Sequence, residues 1–171
     1  MVCHLHRHGH DVASSETSIM PIGRPTFLDL SHADAVALIR RNDVGRLAFS
    51  FHDRVDVEPV SYVLDGDWIY GRTSPGSKFS SIGHSRWVAF EVDEIKDRFN
   101  WSSVVVHGTL YILEAEGGAR PSDDYAHALD VIRVLDAGDF SMSDPTSHQT
   151  QLFRVHIGDI VGRAATTSQH G

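Results

Sequence analysis

Apolar residues come in short runs along most of this chain, and turn-forming residues separate the runs. Val44 to Phe51, Val55 to Leu64, Trp68 to Arg72, Arg86 to Asp93, Trp101 to Leu113 and Leu152 to Ile157 read as β-strands. Val88, Phe90 and Val92 alternate with other residues, as in a strand with one buried face. Val104-Val105-Val106 breaks that alternation and predicts burial on both faces or a place near a subunit contact. His52-Asp53-Arg54 turns the first run into the second, and Asp65-Gly66 is a two-residue hairpin signal. Pro59 lies inside the second run; lacking a ladder donor, it marks an edge or bulge where something else approaches the backbone. Asp93 to Asn100 reads as a charged connection, and Asp139 to Gln149 as a loop.

Two segments carry the helical period instead. Phe27 to Arg41 has Ala35, Leu38 and Ile39 on one face, Ser31 as cap with Asp34 three residues on, and Leu30 placed to staple onto that face. Arg40 and Arg41 fall in its last turn, where cations suit the helix dipole. Pro121 to Ala137 has Tyr125, Leu129, Ile132 and Leu135 as its stripe, acidic residues at its start and Gly138 after it. Several short strands with two helices predict a mainly β fold, an antiparallel sheet or small barrel with peripheral helices. The organisation expected is a flexible His-rich tail over 1–26, one domain over 27–163 and a polar tail over 164–171.

Length and composition narrow the classes. A chain of 171 residues is enough for one domain with a real core. Its formal net charge of −8 argues against a general nucleic-acid binder, which needs a cationic face for phosphates. The single cysteine, Cys3, forbids an internal disulfide framework and suits a reducing cytoplasm. No apolar run is long enough to span a bilayer, and no apolar h-region follows Met1.

Candidate chemistry concentrates in one polar loop, Arg72-Thr73-Ser74-Pro75-Gly76-Ser77-Lys78. Hydroxyls, a glycine, two cations and a short helix expected from Lys78 to Ser85, with Ser77 as its cap, form an arrangement suited to phosphate. An ordinary capped loop with solvated cations explains the same residues. Cys3-His4-Leu5-His6-Arg7-His8-Gly9-His10 contains zinc-type ligands, but without a turn or packed setting it reads as an adventitious metal binder. His107 is a general acid–base type of residue, although a lone strand histidine is more often simply hydrogen-bonded and half-buried. No Cys-x-x-Cys pair, Walker loop or Gly-x-Ser-x-Gly elbow occurs.

The ordered set Val44-Gly45-Arg46-Leu47-Ala48, Glu58-Pro59-Val60-Ser61-Tyr62, Asp65-Gly66-Asp67, Tyr70-Gly71-Arg72-Thr73, Gly76-Ser77-Lys78, Val88 to Asp93 and Trp101 to Gly108 resembles the pyridoxamine 5′-phosphate oxidase-like family. The likeness is greatest to its nitroimidazole-resistance branch, which Phe153-Arg154-Val155 and Ile160-Val161-Gly162-Arg163 also match. The resemblance covers about residues 27 to 163. It implies a Greek-key-like split β-barrel, a homodimer, and FMN at the subunit interface of an oxidoreductase acting on a small molecule. By position, Pro59, Val60, Ser61 and Tyr62 would line the isoalloxazine through backbone and side chain. Tyr70, Gly71, Arg72 and Thr73 would run beside the ribityl chain and phosphate, and Ser77 and Lys78 would bind the phosphate. Trp101 and Ser102 would come from the partner subunit. Arg72 stands where nitroimidazole-resistance proteins often carry histidine, and the C-terminal arginine-rich substrate motif of pyridoxamine phosphate oxidases has no match here. Related barrels bind the deazaflavin F420 or haem, so these stay as alternatives, with Arg46, Arg72, Lys78 and Arg86 as groove cations for F420 and His52, His84 and His107 as haem-ligand candidates. A module that holds flavin without turnover is the remaining alternative.

Overall fold

A computed structural model of the chain describes residues 24–51, 54–73, 87–114, 122–135 and 151–167. Its elements in chain order are β1 (Pro25–Asp29), α1 (His32–Arg41), β2 (Val44–Phe51), β3 (Arg54–Asp65), β4 (Trp68–Thr73), β5 (Trp87–Asp97), β6 (Asn100–Leu113), α2 (Asp123–Ile132) and β7 (Gln151–Thr167). All strand pairs are antiparallel. The sheet order is β1-β7-β4-β3-β2-β5-β6, and a further β7–β6 pairing closes it into a six-stranded barrel with β1 added along the far half of β7. After the meander β2-β3-β4 the chain returns to place β5 beside β2, which gives the Greek-key character.

Strand alternation sorts the side chains. Leu47, Phe49, Val60, Tyr62, Phe90, Val92, Val104, Val106, Phe153 and Val155 fill the barrel, and α1 closes one end with Ala35, Leu38 and Ile39. A second cluster lies outside the barrel, where Ala128 and Ile132 of α2 pack on Tyr70, Leu113 and Leu152. Arg154 helps hold α2 there: its guanidinium stacks 4.2 Å over Trp68 and donates to Asp124 Oδ2 at 2.6 Å. No helix among the described residues is long and apolar enough to cross a membrane.

The two helices are capped as their sequences dictate. Ser31 Oγ accepts from the Asp34 amide at 3.2 Å, and Ser122 Oγ from the Tyr125 amide at 3.3 Å. Ser122 is thus the cap of α2 itself, and the helix ends at Ile132, well inside the expected Pro121 to Ala137; Pro121 and Gly138 lie outside the described residues. Gly66, with φ +57°, makes the β3–β4 turn, so the two-residue loop is Gly66-Asp67.

Several strand boundaries differ from the sequence expectation, each because a distant partner decides it. Phe27 to Asp29 are strand, not helix, since β1 pairs with the end of β7 from Pro25↔Thr167 to Asp29↔Arg163. β7 does not stop at Ile157 but runs to Thr167, so 25–26 and 164–167 belong to the sheet. At Gly162, inside β7, a Cβ would lie 2.9 Å from Leu30 Cβ and 3.3 Å from Ala35 Cβ, so the missing side chain admits the start of α1. The charged connection after Asp93 is a hairpin: β5 continues to Asp97, whose carboxylate accepts the Phe99 amide at 2.8 Å. Val104 and Val106 are core while Val105 lies half-buried on the outer face, and His107 is exposed.

One ion pair gives a pH-dependent contact between α1 and β5. Arg41 Nε and Nη2 donate to the two Glu94 carboxylate oxygens at 2.6 and 2.7 Å, and Asn42 Nδ2 adds a third bond at 3.0 Å. The Arg41 hydrogen bond, with that of Asn42, holds the Glu94 carboxyl down at about 2. A depressed carboxyl contributes stability that is fully present above its unfolded value near 4.5 and is lost as pH falls towards 2. Because both partners are over a third exposed, solvent screening limits the contribution to about 1 kcal/mol. Glu94→Gln is expected to lower stability by that amount in urea unfolding at pH 7, and by progressively less from pH 4.5 to pH 2.

Candidate functional site

The ladder between β3 and β4 runs from Asp65↔Trp68 only as far as Tyr62↔Gly71. Beyond it the strands part. β3 continues back to Arg54 against β2, while β4 goes on through Arg72 and Thr73 against β7. Among the described residues the barrel is therefore split between Val60–Ser61 on one side and Arg72–Thr73 on the other. Pro59 pairs with Arg46 on its β2 side and lies beyond the end of the β4 ladder, which fits the edge expected of it.

The residues expected around a cofactor fall into two kinds. Pro59 is exposed and Ser61 half-buried, both on the outer face of β3. Arg72 and Thr73 are buried at the end of β4, 7% and 6% exposed. By backbone position these four residues flank the split. Val60, Tyr62, Tyr70 and Gly71 are packing residues instead. Val60 and Tyr62 point into the barrel, Tyr70 lies under α2, and Gly71 is covered by the Phe153 ring. The Tyr62 side chain is held inside the barrel. Its hydroxyl donates to the Ile39 carbonyl at 2.6 Å, and its ring meets Phe90 edge-on with centroids 4.8 Å apart. Burial, reinforced by the nearby Asp43 charge, pushes its phenol above the ordinary range, so it stays a neutral donor. Ser77, Lys78, His52, His84, Arg86 and the Cys3 to His10 run lie outside the described residues.

Trp101 and Ser102 sit elsewhere. The sheet row from Pro59 passes through Arg46 and Glu91 to Val105, so β6 is three strands away, about 14 Å along the sheet. Trp101 lies four residues further along β6. Within one chain these two residues do not meet the β3–β4 split. Being consecutive in a strand, they also face opposite sides of the sheet. Trp101 lines a cavity of about 420 Å³ with Phe27, Arg163 and Ala164, its ring centroid 6.3 Å from that of Phe27. Ser102 lines a second cavity of about 500 Å³ with Glu94, Asn100 and Thr166, which Trp101 also borders. Sequence patterns do not single out Phe27 or Arg163, because Phe27 fits the helical period that precedes the Ser31 cap.

The outer face of β3 and β5 carries exposed apolar residues, with Val55, Val57, Trp87 and Ile95 each more than half accessible. An ion cluster crosses it, in which Arg46 Nη1 bonds both Glu91 and Asp93 and Ser103 Oγ donates to Glu91 at 2.9 Å. Among the described residues no group of three or more His, Cys, Asp or Glu gathers to hold a metal ion.

Comparison with known proteins fits this architecture. The solved FAD-binding protein of Mesorhizobium loti is 25% identical, with a TM-score of 0.65 over 84% of this chain and 99% of that one. A candidate 5-nitroimidazole antibiotic resistance protein of Bacteroides thetaiotaomicron shares the fold at 16% identity, with a TM-score of 0.63 over 96% of this chain and 98% of that one. An uncharacterised protein of Rhizobium meliloti (strain 1021) is 26% identical over 100 residues, 58% of this chain and 66%, just under two thirds, of its own length. The family model described as pyridoxamine 5′-phosphate oxidase matches residues 31–164, from the cap of α1 to the far end of β7. With the split antiparallel barrel in place across that span, the chain belongs to the pyridoxamine 5′-phosphate oxidase family.

Proposed function

We propose that this protein is a homodimeric, FMN-dependent oxidoreductase acting on a small molecule. The observation that carries this reading is the parting of β3 and β4 at Tyr62↔Gly71, which brings Pro59, Ser61, Arg72 and Thr73 to one opening. A flavin there would be met by the β3 backbone from Pro59 to Ser61. Its phosphate would be held by Arg72 and Thr73 with Ser77 and Lys78. Bound flavin supplies hydride and electron transfer, so the protein's part is binding, orientation and exclusion of water. That division asks for binding groups at the opening and does not require a nucleophile paired with a base.

A second copy of the chain is part of the reading. Trp101 stands too far from the split within one chain to close over a ligand there. Exposed apolar side chains on the same outer face, Val55, Val57 and Trp87, suit a twofold contact that would bring the partner's Trp101 across. A monomer by light scattering would exclude this arrangement.

FAD is the second reading for the cofactor, favoured by the FAD-binding Mesorhizobium protein. The deciding experiment is the visible spectrum of the freshly purified protein, followed by denaturation and chromatographic separation of FMN from FAD. A flavin spectrum with FMN released is expected. Released FAD would move the assignment to the second reading. A colourless protein that takes up neither flavin would overturn both, and tighter uptake of F420 would replace them. A bound flavin that neither NADH nor NADPH reduces would favour the non-catalytic module.

A further inference from the structure

We infer that Tyr62 is a positioning residue for the flavin site: its buried hydroxyl and amide pin β3 to the end of α1 at the point where the barrel splits. The inference rests on the flavin reading given above. Tyr62 occupies the last β3–β4 ladder pair, Tyr62↔Gly71, so Ser61 and Val60 begin the unlatched part of the strand. Two bonds made by this one residue fix that point. The hydroxyl donates to the Ile39 carbonyl at 2.6 Å, and the backbone N–H donates to the Asp43 carbonyl at 2.9 Å. Ile39 lies in the last turn of α1, where carbonyls have no intrahelical partner, and Asp43 in the link to β2. The Phe90 ring, 75° to the tyrosine ring, seats it from β5. The tyrosine is 1% exposed, so it touches no ligand itself. It acts through Val60 and Ser61, whose peptide groups must hold still if a flat ring is to bond them.

Tyr62→Phe keeps the ring, removes the hydroxyl and leaves the Ile39 carbonyl buried without its donor. Hydrogen exchange of the ligand-free protein is expected to quicken at least about fivefold at the Val60 and Ser61 amides relative to core amides of β6, through local opening. FMN affinity is expected to fall about tenfold, the factor that 1.4 kcal/mol represents, with a shifted visible flavin band. Ile132→Val, a core truncation under α2, serves as control. It lowers global stability but is expected to leave the exchange ratio and FMN affinity as in the wild type, because a protein still fully folded binds with unchanged affinity. Phe90→Leu, which loosens the ring's seat but keeps the hydroxyl, is expected to move both signals the same way by less. Wild-type exchange at Val60 and Ser61 together with wild-type FMN affinity in Tyr62→Phe would overturn the inference. If the wild-type protein itself takes up no flavin, the flavin reading fails, and the exchange measurement still tests the clamp separately.

Discussion

Phe153→Ala is expected to destabilise the protein by about 3–5 kcal/mol, the upper range for truncating one core side chain. Phe153 is 0% exposed and lies on β7, the strand that closes the barrel against both β4 and β6. Its ring covers Gly71 on the paired strand: a Cβ built on that glycine would overlap Phe153 Cζ and come within 2.8 Å of Cε1. The ring and the missing side chain are therefore one feature. Removing the ring leaves a void that neither Gly71 nor the barrel wall can fill. Adding a methyl instead, in Gly71→Ala, overpacks the same spot and is expected to cost about 1–3 kcal/mol. The two changes should not add. In Gly71→Ala/Phe153→Leu the smaller side chain makes room for the methyl, so the double variant is expected to be more stable than the sum of the single losses by about 1 kcal/mol or more. Urea unfolding of the wild type, Gly71→Ala, Phe153→Leu and the double variant measures this coupling, and strict additivity would show that the contact does not govern either cost. At this chain length each kcal/mol corresponds to roughly 2–4 °C in Tm.

That pairing also shows what the sequence could carry and what it could not. Gly71 is legible as a place where something approaches the backbone, but whether a ligand or a protein ring approaches depends on the register Gly71↔Phe153, which joins two strands far apart in the chain. Features decided within a few residues are readable: the Ser31 cap, the stripe of Ala35, Leu38 and Ile39, the turn after Asp65, and the alternation of Val88, Phe90 and Val92. Features decided by a remote strand are not. Phe27 satisfies a helical pattern as well as a strand pattern, and only the Ala165 partner selects the strand. The packing reason for Gly162, Leu30 and Ala35 lying across it, comes from the other end of the chain. The candidate site follows the same rule. The expectation that Arg72 and Thr73 would meet an anion comes from neighbouring residues alone, whereas the seating of Tyr62 depends on Ile39 and Phe90. Trp101 and Ser102 form a natural pair in sequence, and strand geometry sends them to opposite faces.

Gly108→Ala is expected to lose about 3 kcal/mol, the upper end of what overpacking costs, although it adds one methyl. The β6–β7 register slips between His107↔Asp159 and Gly108↔Ile157, which leaves Gly158 as the extra residue of a bulge. Across that bulge the two backbones press together. A Cβ on Gly108 would overlap the His156 carbonyl oxygen and lie 2.7 Å from Val155 Cγ1. At Gly71 the obstacle is the far end of a ring, which can tilt. At Gly108 it is a peptide carbonyl held in a ladder, so relief requires the strands themselves to separate. β6–β7 is the seam that turns the open sheet into a barrel, and moving it disturbs Val106 and Val155 on the core side. The loss should therefore appear in two ways. Urea unfolding would give a lower midpoint than Gly71→Ala, and hydrogen exchange would quicken along Val106 to Leu110 and Val155 to Ile157 before it quickens in β2 and β3. Equal costs for the two alanine variants, with exchange unchanged along the seam, would mean that the bulge yields as easily as a side chain and that closure of this barrel does not depend on the glycine.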